Sequence, residues 1–329
     1  MPEIKEWEDG IIQVKISMAP PLRWVNSYIL RGEEGITIID PGPRTETSIA
    51  EWSEAWKQLG FKPDEVHAVV VTHHHPDHVG LAGYIQSITG AQVWMSRRAH
   101  AETKLMWGSG SHVNQDLPRI YQKNGMPLEW TLQLPAHLEG FVSQVLPEPR
   151  VSYLDEGKPF MMGGVSWIPI ETGGHAPGHL SFYDKETCTI LCGDAVLPQI
   201  SPNVSYLPGS DPQPLQSFTD GMLKLAGYPV VKAYPGHRHP FDYFRERLES
   251  LLLHHEERLS FIERLLQERP HNGFEVCTAL FGTKLGIHQM RFAMSEALAH
   301  LIELVRQGRA WKEQSQEGIM YYPVHERQI

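Results

Sequence analysis

Within six residues the chain places His73, His75, Asp77 and His78, in the run Val71-Thr72-His73-His74-His75-Pro76-Asp77-His78-Val79-Gly80. Crowded imidazoles repel one another when charged and gain little from burial alone. A transition metal reverses that balance, because each lone pair becomes a favourable bond. The apolar run Val66-His67-Ala68-Val69-Val70-Val71 before the cluster reads as a buried strand, and Val79 to Ile85 after it reads as a helix start. The cluster therefore falls on a strand-to-helix loop, where open sheets place their sites. A His-rich surface loop, the bland alternative, would explain neither the ligand spacing nor the flanking pattern.

As His-x-His-x-Asp-His, these residues resemble the signature of the metallo-β-lactamase superfamily, and later motifs follow in the same order. Thr172-Gly173-Gly174-His175-Ala176-Pro177-Gly178-His179 is similar to the family's second histidine motif. Leu191-Cys192-Gly193-Asp194-Ala195 is similar to the strand end that carries a bridging aspartate, and Tyr234-Pro235-Gly236-His237 to the last ligand motif. Upstream, Asn26 to Leu30 resembles an early strand. Ile36 to Ile39, with Asp40-Pro41-Gly42, resembles the next strand and its turn.

Carried onto this chain, the resemblance implies that His73, His75 and His175 hold one metal. It implies that Asp77, His78 and His237 hold a second, with Asp194 between the two. Only imidazoles and carboxylates are offered, so the cofactor is expected to be two divalent ions. Zinc is the default, and iron or manganese also suit these donors. The redox di-iron branch carries Glu where this chain has His75, which favours hydrolysis over electron transfer. Asp77 is expected to accept a proton from water as well as to ligate, which makes it the candidate catalytic residue. His175 is preferred to His179 as a ligand, and His179 is assigned to the substrate. His74 is expected to be structural, His239 to lie at the surface or behind the ligands, and His254-His255 to be solvated.

The elements that must position these residues read as α/β. Short apolar runs, Ile12 to Ile16, Gln92 to Met95, Val165 to Ile170 and Thr187 to Cys192, read as strands. Ser48 to Leu59 reads as a helix with Trp52 and Trp56 on one face. With the resemblance, this implies a four-layer αββα metallo-β-lactamase sandwich over residues 1–240. Residues 100–148 break the pattern with Met106, Trp107, Met126, Trp130 and Phe141. Gly108-Ser109-Gly110 and Gly125-Met126-Pro127 punctuate two expected helices there. This helical insertion either lies over the metal site, with Trp107 and Trp130 against substrate, or forms an ordinary packing pair.

Residues 241–329 read as a separate module: helices at Arg245–Arg269, Phe274–Phe281 and His288–Arg306, then strands at Arg309–Lys312 and Ile319–Tyr322. The order is similar to a small winged helix and resembles the extension of β-lactamase-like protein 2 relatives.

Composition narrows the function. A formal net charge of −10 disfavours attraction to nucleic acid or anionic membrane. The 3 cysteines give no disulfide framework, the N-terminus lacks an apolar signal core, and no stretch is long enough to span a bilayer. A cytoplasmic protein is expected. The leading expectation is a binuclear metal-dependent hydrolase that directs a metal-bound hydroxide at a small acyl substrate, a thioester, ester or lactone. Lactonases of this fold often carry a tyrosine where this chain has Leu197, and Tyr206 is the candidate replacement. The alternatives are a metal-dependent nuclease and a non-enzymatic, metal-stabilised binding protein. The winged-helix-like module raises the nuclease reading, but its acidic residues outnumber its basic ones. A packing role or a homodimer contact is preferred for it.

Overall fold

The computed structural model describes residues 1–108 and 110–324. Ser109, in the middle of the expected Gly108–Gly110 break, lies outside the described residues, as does the end of the chain from residue 325. Among the described residues, one sheet holds seven strands hydrogen-bonded in chain order. They are β1 (Glu3–Glu6), β2 (Ile12–Ser17), β3 (Trp24–Gly32), β4 (Gly35–Ile39), β5 (Val66–Val70), β6 (Gln92–Ser96) and β7 (Val151–Leu154). A second sheet holds β8 (Phe160–Met162), β9 (Val165–Thr172), β10 (His179–Asp184), β11 (Thr189–Gly193) and β12 (Lys232–Pro235), in the order β12-β11-β10-β9-β8.

Apolar faces of both sheets meet in one core. Ile11, Tyr28, Leu30, Ile39 and Val70 of the first pack with Trp167, Leu180, Phe182, Leu191 and Tyr234 of the second. Outside the first sheet lie α1 (Glu46–Leu59) and α3 (Ala82–Thr89). Outside the second lies α8 (Pro214–Leu225). The short α2 (Pro76–Val79) carries part of the histidine cluster. These are the four layers the sequence implied.

Local chemistry sets the boundaries. The Thr45 side chain caps α1 by accepting from the Ser48 amide, and Gly60 ends the helix in the left-handed region at φ 71°. On the inner face Trp52 and Trp56 are buried, and the Trp52 indole donates to the Pro41 carbonyl at 2.7 Å. Central β5 is parallel to both β4 and β6, so the chain leaves it at the carboxyl end of a buried parallel strand, just before Thr72 and His73.

The insertion holds more helices than expected: α4 (Arg97–Trp107), α5 (Val113–Lys123), α6 (Leu128–Thr131) and α7 (Leu134–Val142). Pro127 and Pro135 fall at the starts of α6 and α7, where a missing N–H is tolerated.

The C-terminal region holds α9 (Phe244–Glu268), α10 (Gly273–Phe281) and α11 (Ile287–Arg306). Beside them a small sheet has the order β13 (His271–Asn272), β15 (Ile319–Pro323), β14 (Ala310–Gln314). The two-residue β13 is too short to leave a periodic signal. Buried residues occur on every side of α11, which packs against α7, α8, α9 and α10. His255, expected to be solvated, is only 3% exposed, because α9 turns it onto α11, where its Nδ1 lies 3.1 Å from His300 Nε2. No described helix is long and apolar enough to cross a membrane.

Candidate metal centre

Four segments at the strand ends bring the predicted ligands together. The loop after β5 supplies His73, His75, Asp77 and His78. The β9–β10 loop supplies His175. The segments after β11 and β12 supply Asp194 and His237. His73 Nε2 lies 3.0 Å from His75 Nδ1 and 3.4 Å from His175 Nε2. His237 Nε2 lies 3.2 Å from Asp77 Oδ2, and His78 Nε2 lies 3.7 Å from that oxygen. Asp194 Oδ2 faces both sets, at 3.6 Å from His175 Nε2, 3.5 Å from His78 Nε2 and 3.4 Å from His237 Nε2.

Two backbone carbonyls, a carboxylate and a hydroxyl fix the imidazoles from behind. His175 Nδ1 donates to the Asn203 carbonyl and His237 Nδ1 to the Trp24 carbonyl, each at 2.9 Å. His78 Nδ1 donates to Asp40 Oδ2, also at 2.9 Å. The Thr72 hydroxyl donates to Asp40 Oδ2 at 2.7 Å, so it can accept only from His73 Nδ1, at 2.9 Å. Each of these four rings therefore spends its Nδ1 proton on an outer partner and turns Nε2 inward. Outer partners of this kind set tautomer and basicity at metal sites.

The inward atoms fit divalent metal. His78 Nε2, His237 Nε2 and Asp194 Oδ1 are buried without a hydrogen-bond partner. Buried polar atoms left unpaired cost free energy, and convergent nitrogens cannot satisfy one another without protons. Two groups, His73–His75–His175 and Asp77–His78–His237, each bring three ligand atoms within 4.8 Å of one another. Gly236 admits this convergence: a Cβ there would strike Asp194 Oδ1 and come within 2.7 Å of His78 Cε1.

Electrostatics separate the two halves. Burial, reinforced by neighbouring imidazoles, holds His73 and His75 well below the usual histidine range and also lowers His175. At His237 burial also acts downward, but Asp194 and Asp77 outweigh it and push the imidazole up to about 10. His78 is raised in the same way by Asp194, Asp40 and Asp77 against its burial. Protons therefore occupy the aspartate-rich half when no metal does.

Other predicted residues take different places. His179 was expected at the substrate, but it is 1% exposed and its Nε2 accepts from the Asp194 amide at 3.1 Å. It braces the aspartate loop, and burial pushes its imidazole down to about 3. Trp107, also expected at the substrate, is buried beneath the cluster, where its indole N–H donates to the His74 carbonyl at 2.9 Å. Trp130 is half-buried against the core, and Tyr206 lies at the C-terminal module with its amide donating to the Ser295 carbonyl at 3.1 Å. His74, expected to be structural, is fully enclosed with both ring nitrogens unpartnered. Asp40, Thr72, Asn203 and the Trp24 carbonyl support the ligands, and sequence reading assigned them no role. His255, Glu296 and His300 form a further buried cluster. There Glu296 is already paired with Arg258 and Asn203, so the group reads as a structural network.

Ligand atoms of this kind on strand-end loops of an αββα sandwich define a metal-dependent hydrolase. Residues 22–237 match the Metallo-beta-lactamase superfamily, and the chain belongs to it. Residues 259–325 match the metallo-beta-lactamase-like C-terminal domain. The probable metallo-hydrolase YqjP of Bacillus subtilis is 23% identical over 321 residues, covering 89% of this chain and 91% of that protein. The hydroxyacylglutathione hydrolase GloC of Haemophilus influenzae is 26% identical over 170 residues, 52% of this chain and 65% of that one. Among solved structures, a metallo-beta-lactamase family protein from Thermus thermophilus superposes with TM-score 0.86 at 28% identity, covering 96% of this chain and 99% of the other. A beta-lactamase domain protein from Burkholderia ambifaria gives TM-score 0.88 at 27% identity, covering 98% and 94%.

Proposed function

We propose that the protein is a binuclear metal-dependent hydrolase of small acyl substrates, thioesters foremost. One observation carries the reading: Asp194 Oδ2 stands within 3.6 Å of ligand nitrogens from both sets, the position of a carboxylate shared by two ions. His73, His75 and His175 would hold one ion, and Asp77, His78 and His237 the other. Zinc is the expected metal, although the donors also suit iron or manganese. Bound there, such ions would lower the pKa of water and stabilise negative charge developing on a carbonyl oxygen.

The chain's own groups supply orientation and a proton acceptor. Asp77 makes its contacts with His78 and His237 through Oδ2, which leaves Oδ1 to take up a proton. At 17% side-chain exposure Asp77 is also more open than its neighbours Asp194 and His78. His179 and Trp107 hold the loops that carry Asp194 and His75, and Tyr206 and Trp130 remain candidates for contact with a longer acyl group. The hydroxyacylglutathione hydrolase among the relatives acts, by its name, on a thioester, which favours that class over lactones. Leu197 at the position of the lactonase tyrosine points the same way.

A winged-helix-like C-terminal module reading nucleic acid is disfavoured. Its third helix, α11, is enclosed by four other helices and cannot enter a groove. We assign the module to packing against the catalytic domain. The test is hydrolysis by zinc-loaded protein of matched thioester, lactone and phosphodiester panels. Thioesters should lead in kcat/KM, and a lead by phosphodiesters would replace this reading with the nuclease.

A further inference from the structure

Arg291 projects from α11 in the C-terminal module and is only 7% exposed, yet it has no salt bridge and no side-chain hydrogen bond among the described residues. Its Nε is sealed and unpartnered, while the two Nη groups keep contact with solvent. The guanidinium lies 4.1 Å from the Phe292 ring centroid and 5.9 Å from that of Phe141. Phe141 in turn packs on Trp107 at 6.0 Å, and the Trp107 indole holds the His74 carbonyl in the ligand loop. His137 and His288 close the same space, with His137 Nε2 and His288 Nδ1 3.4 Å apart and the His288 ring 5.9 Å from Phe141.

A buried guanidinium normally sits against a carboxylate, because leaving water uncompensated is expensive. Cation–π contact with two phenylalanines returns only part of that, about 0.5–2 kcal/mol. Arg291 contributes, after burial, to the lowering of His137 and His288, the two imidazoles that close the space around it, and the Asp77 carboxylate is felt at His288. Among the described residues no carboxylate faces Arg291; Tyr121, whose hydroxyl donates to the Arg291 carbonyl at 2.9 Å, is the group that acts on its charge there.

We propose that Arg291 is an anion-recognition residue of the active-site cleft, taking a carboxylate on the acyl part of the substrate. The inference rests on the hydrolase reading and narrows it to acyl groups that carry a negative charge away from the scissile carbonyl. A planar guanidinium with both Nη groups free presents the fork that a carboxylate accepts in bidentate fashion. The surrounding aromatic rings exclude water and strengthen that contact. The C-terminal module thereby contributes a specificity determinant as well as packing.

The test compares glutaryl and pentanoyl thioesters of N-acetylcysteamine, equal in chain length and differing in the terminal carboxylate. Wild-type zinc protein should favour the glutaryl ester, and Arg291→Gln should lower the glutaryl-to-pentanoyl ratio of kcat/KM at least tenfold. Arg291→Lys, which keeps the charge and loses the fork, should give an intermediate ratio and covers the case of a poorly folding Gln variant. In parallel, glutarate should raise the melting temperature of the wild type more than the neutral glutaramide does, and that difference should vanish in Arg291→Gln. An unchanged ratio, or equal protection by glutarate and glutaramide in the wild type, overturns the proposal. Hydrolysis of neither thioester would count against the hydrolase reading alone, because the glutarate comparison decides the role of Arg291 without turnover.

Discussion

Asp40 and His78 are joined by a 2.9 Å hydrogen bond from the imidazole Nδ1 to the carboxylate Oδ2, and that oxygen also accepts the Thr72 hydroxyl. Through Thr72 the same carboxylate orients His73. One side chain at the end of β4 thus aims an imidazole in each proposed metal set. It does so from a backbone at φ 50°, a region in which aspartate is tolerated better than most residues.

Replacing Asp40 by Asn keeps the volume but loses the charge and one of the acceptor oxygens. Metal affinity should fall by about 10–100-fold, the usual cost of losing a partner behind a ligand, and both ions should be affected. Competition against a chromophoric chelator measures this. Unchanged affinity, or loss of only one ion, would show that Asp40 does not serve both sets.

Trp107→Phe removes the indole donor to the His74 carbonyl while keeping most of the ring packing. A hydrogen bond of this kind contributes roughly 0.5–1.5 kcal/mol, so a modest drop in melting temperature is expected. Turnover should fall by a similar factor across acyl-chain lengths, since the residue supports the ligand loop. A loss that grows with chain length would instead return Trp107 to the substrate.

Metal-free protein should respond to pH through His237, whose folded value of about 10 lies above the ordinary histidine value of about 6.5. A raised imidazole contributes stability that is complete below the unfolded value and is lost as pH rises through the folded one. The melting temperature of the metal-free protein should therefore decline between about pH 6.5 and 10. At fixed free zinc the trend should reverse at the acid end, because the ligands must shed protons to bind. Parallel curves for the two forms would mean that protons and metal do not share these sites.

The convergence of the candidate ligands was legible because they lie in compact motifs, and strand-end loops permit little variation in where such motifs point. Strands β2, β5, β6, β9 and β11 and the long helices α9 and α11 were legible from apolar patterning, β3 and β4 from the resemblance, while β1, β8 and β10 were not read as strands. The supports were not. Asn203 reaches His175 through a main-chain carbonyl, which leaves no residue-type signal, and Trp24 does the same for His237. Trp107 and His179 looked like substrate contacts because large or polar side chains near a cleft fit both roles. Only burial and hydrogen-bond direction separate the two. His255 read as solvated because its neighbours on α9 are charged, while its partner His300 lies on a helix far along the chain. Arg291 gave no sign of being unpaired, since pairing is a property of the folded surroundings alone.

Most direct for the central claim is the metal content of wild-type, His175→Ala and His237→Ala protein after equilibrium dialysis against zinc, with thioester hydrolysis measured on the same samples. Two ions per chain are expected in the wild type. Each variant should keep about one, and hydrolysis should be at least about a hundredfold lower in both, the scale on which removing groups that stabilise transition-state charge is felt. One ion per wild-type chain, or full hydrolysis by either variant at reduced occupancy, would contradict a shared two-metal centre built on Asp194.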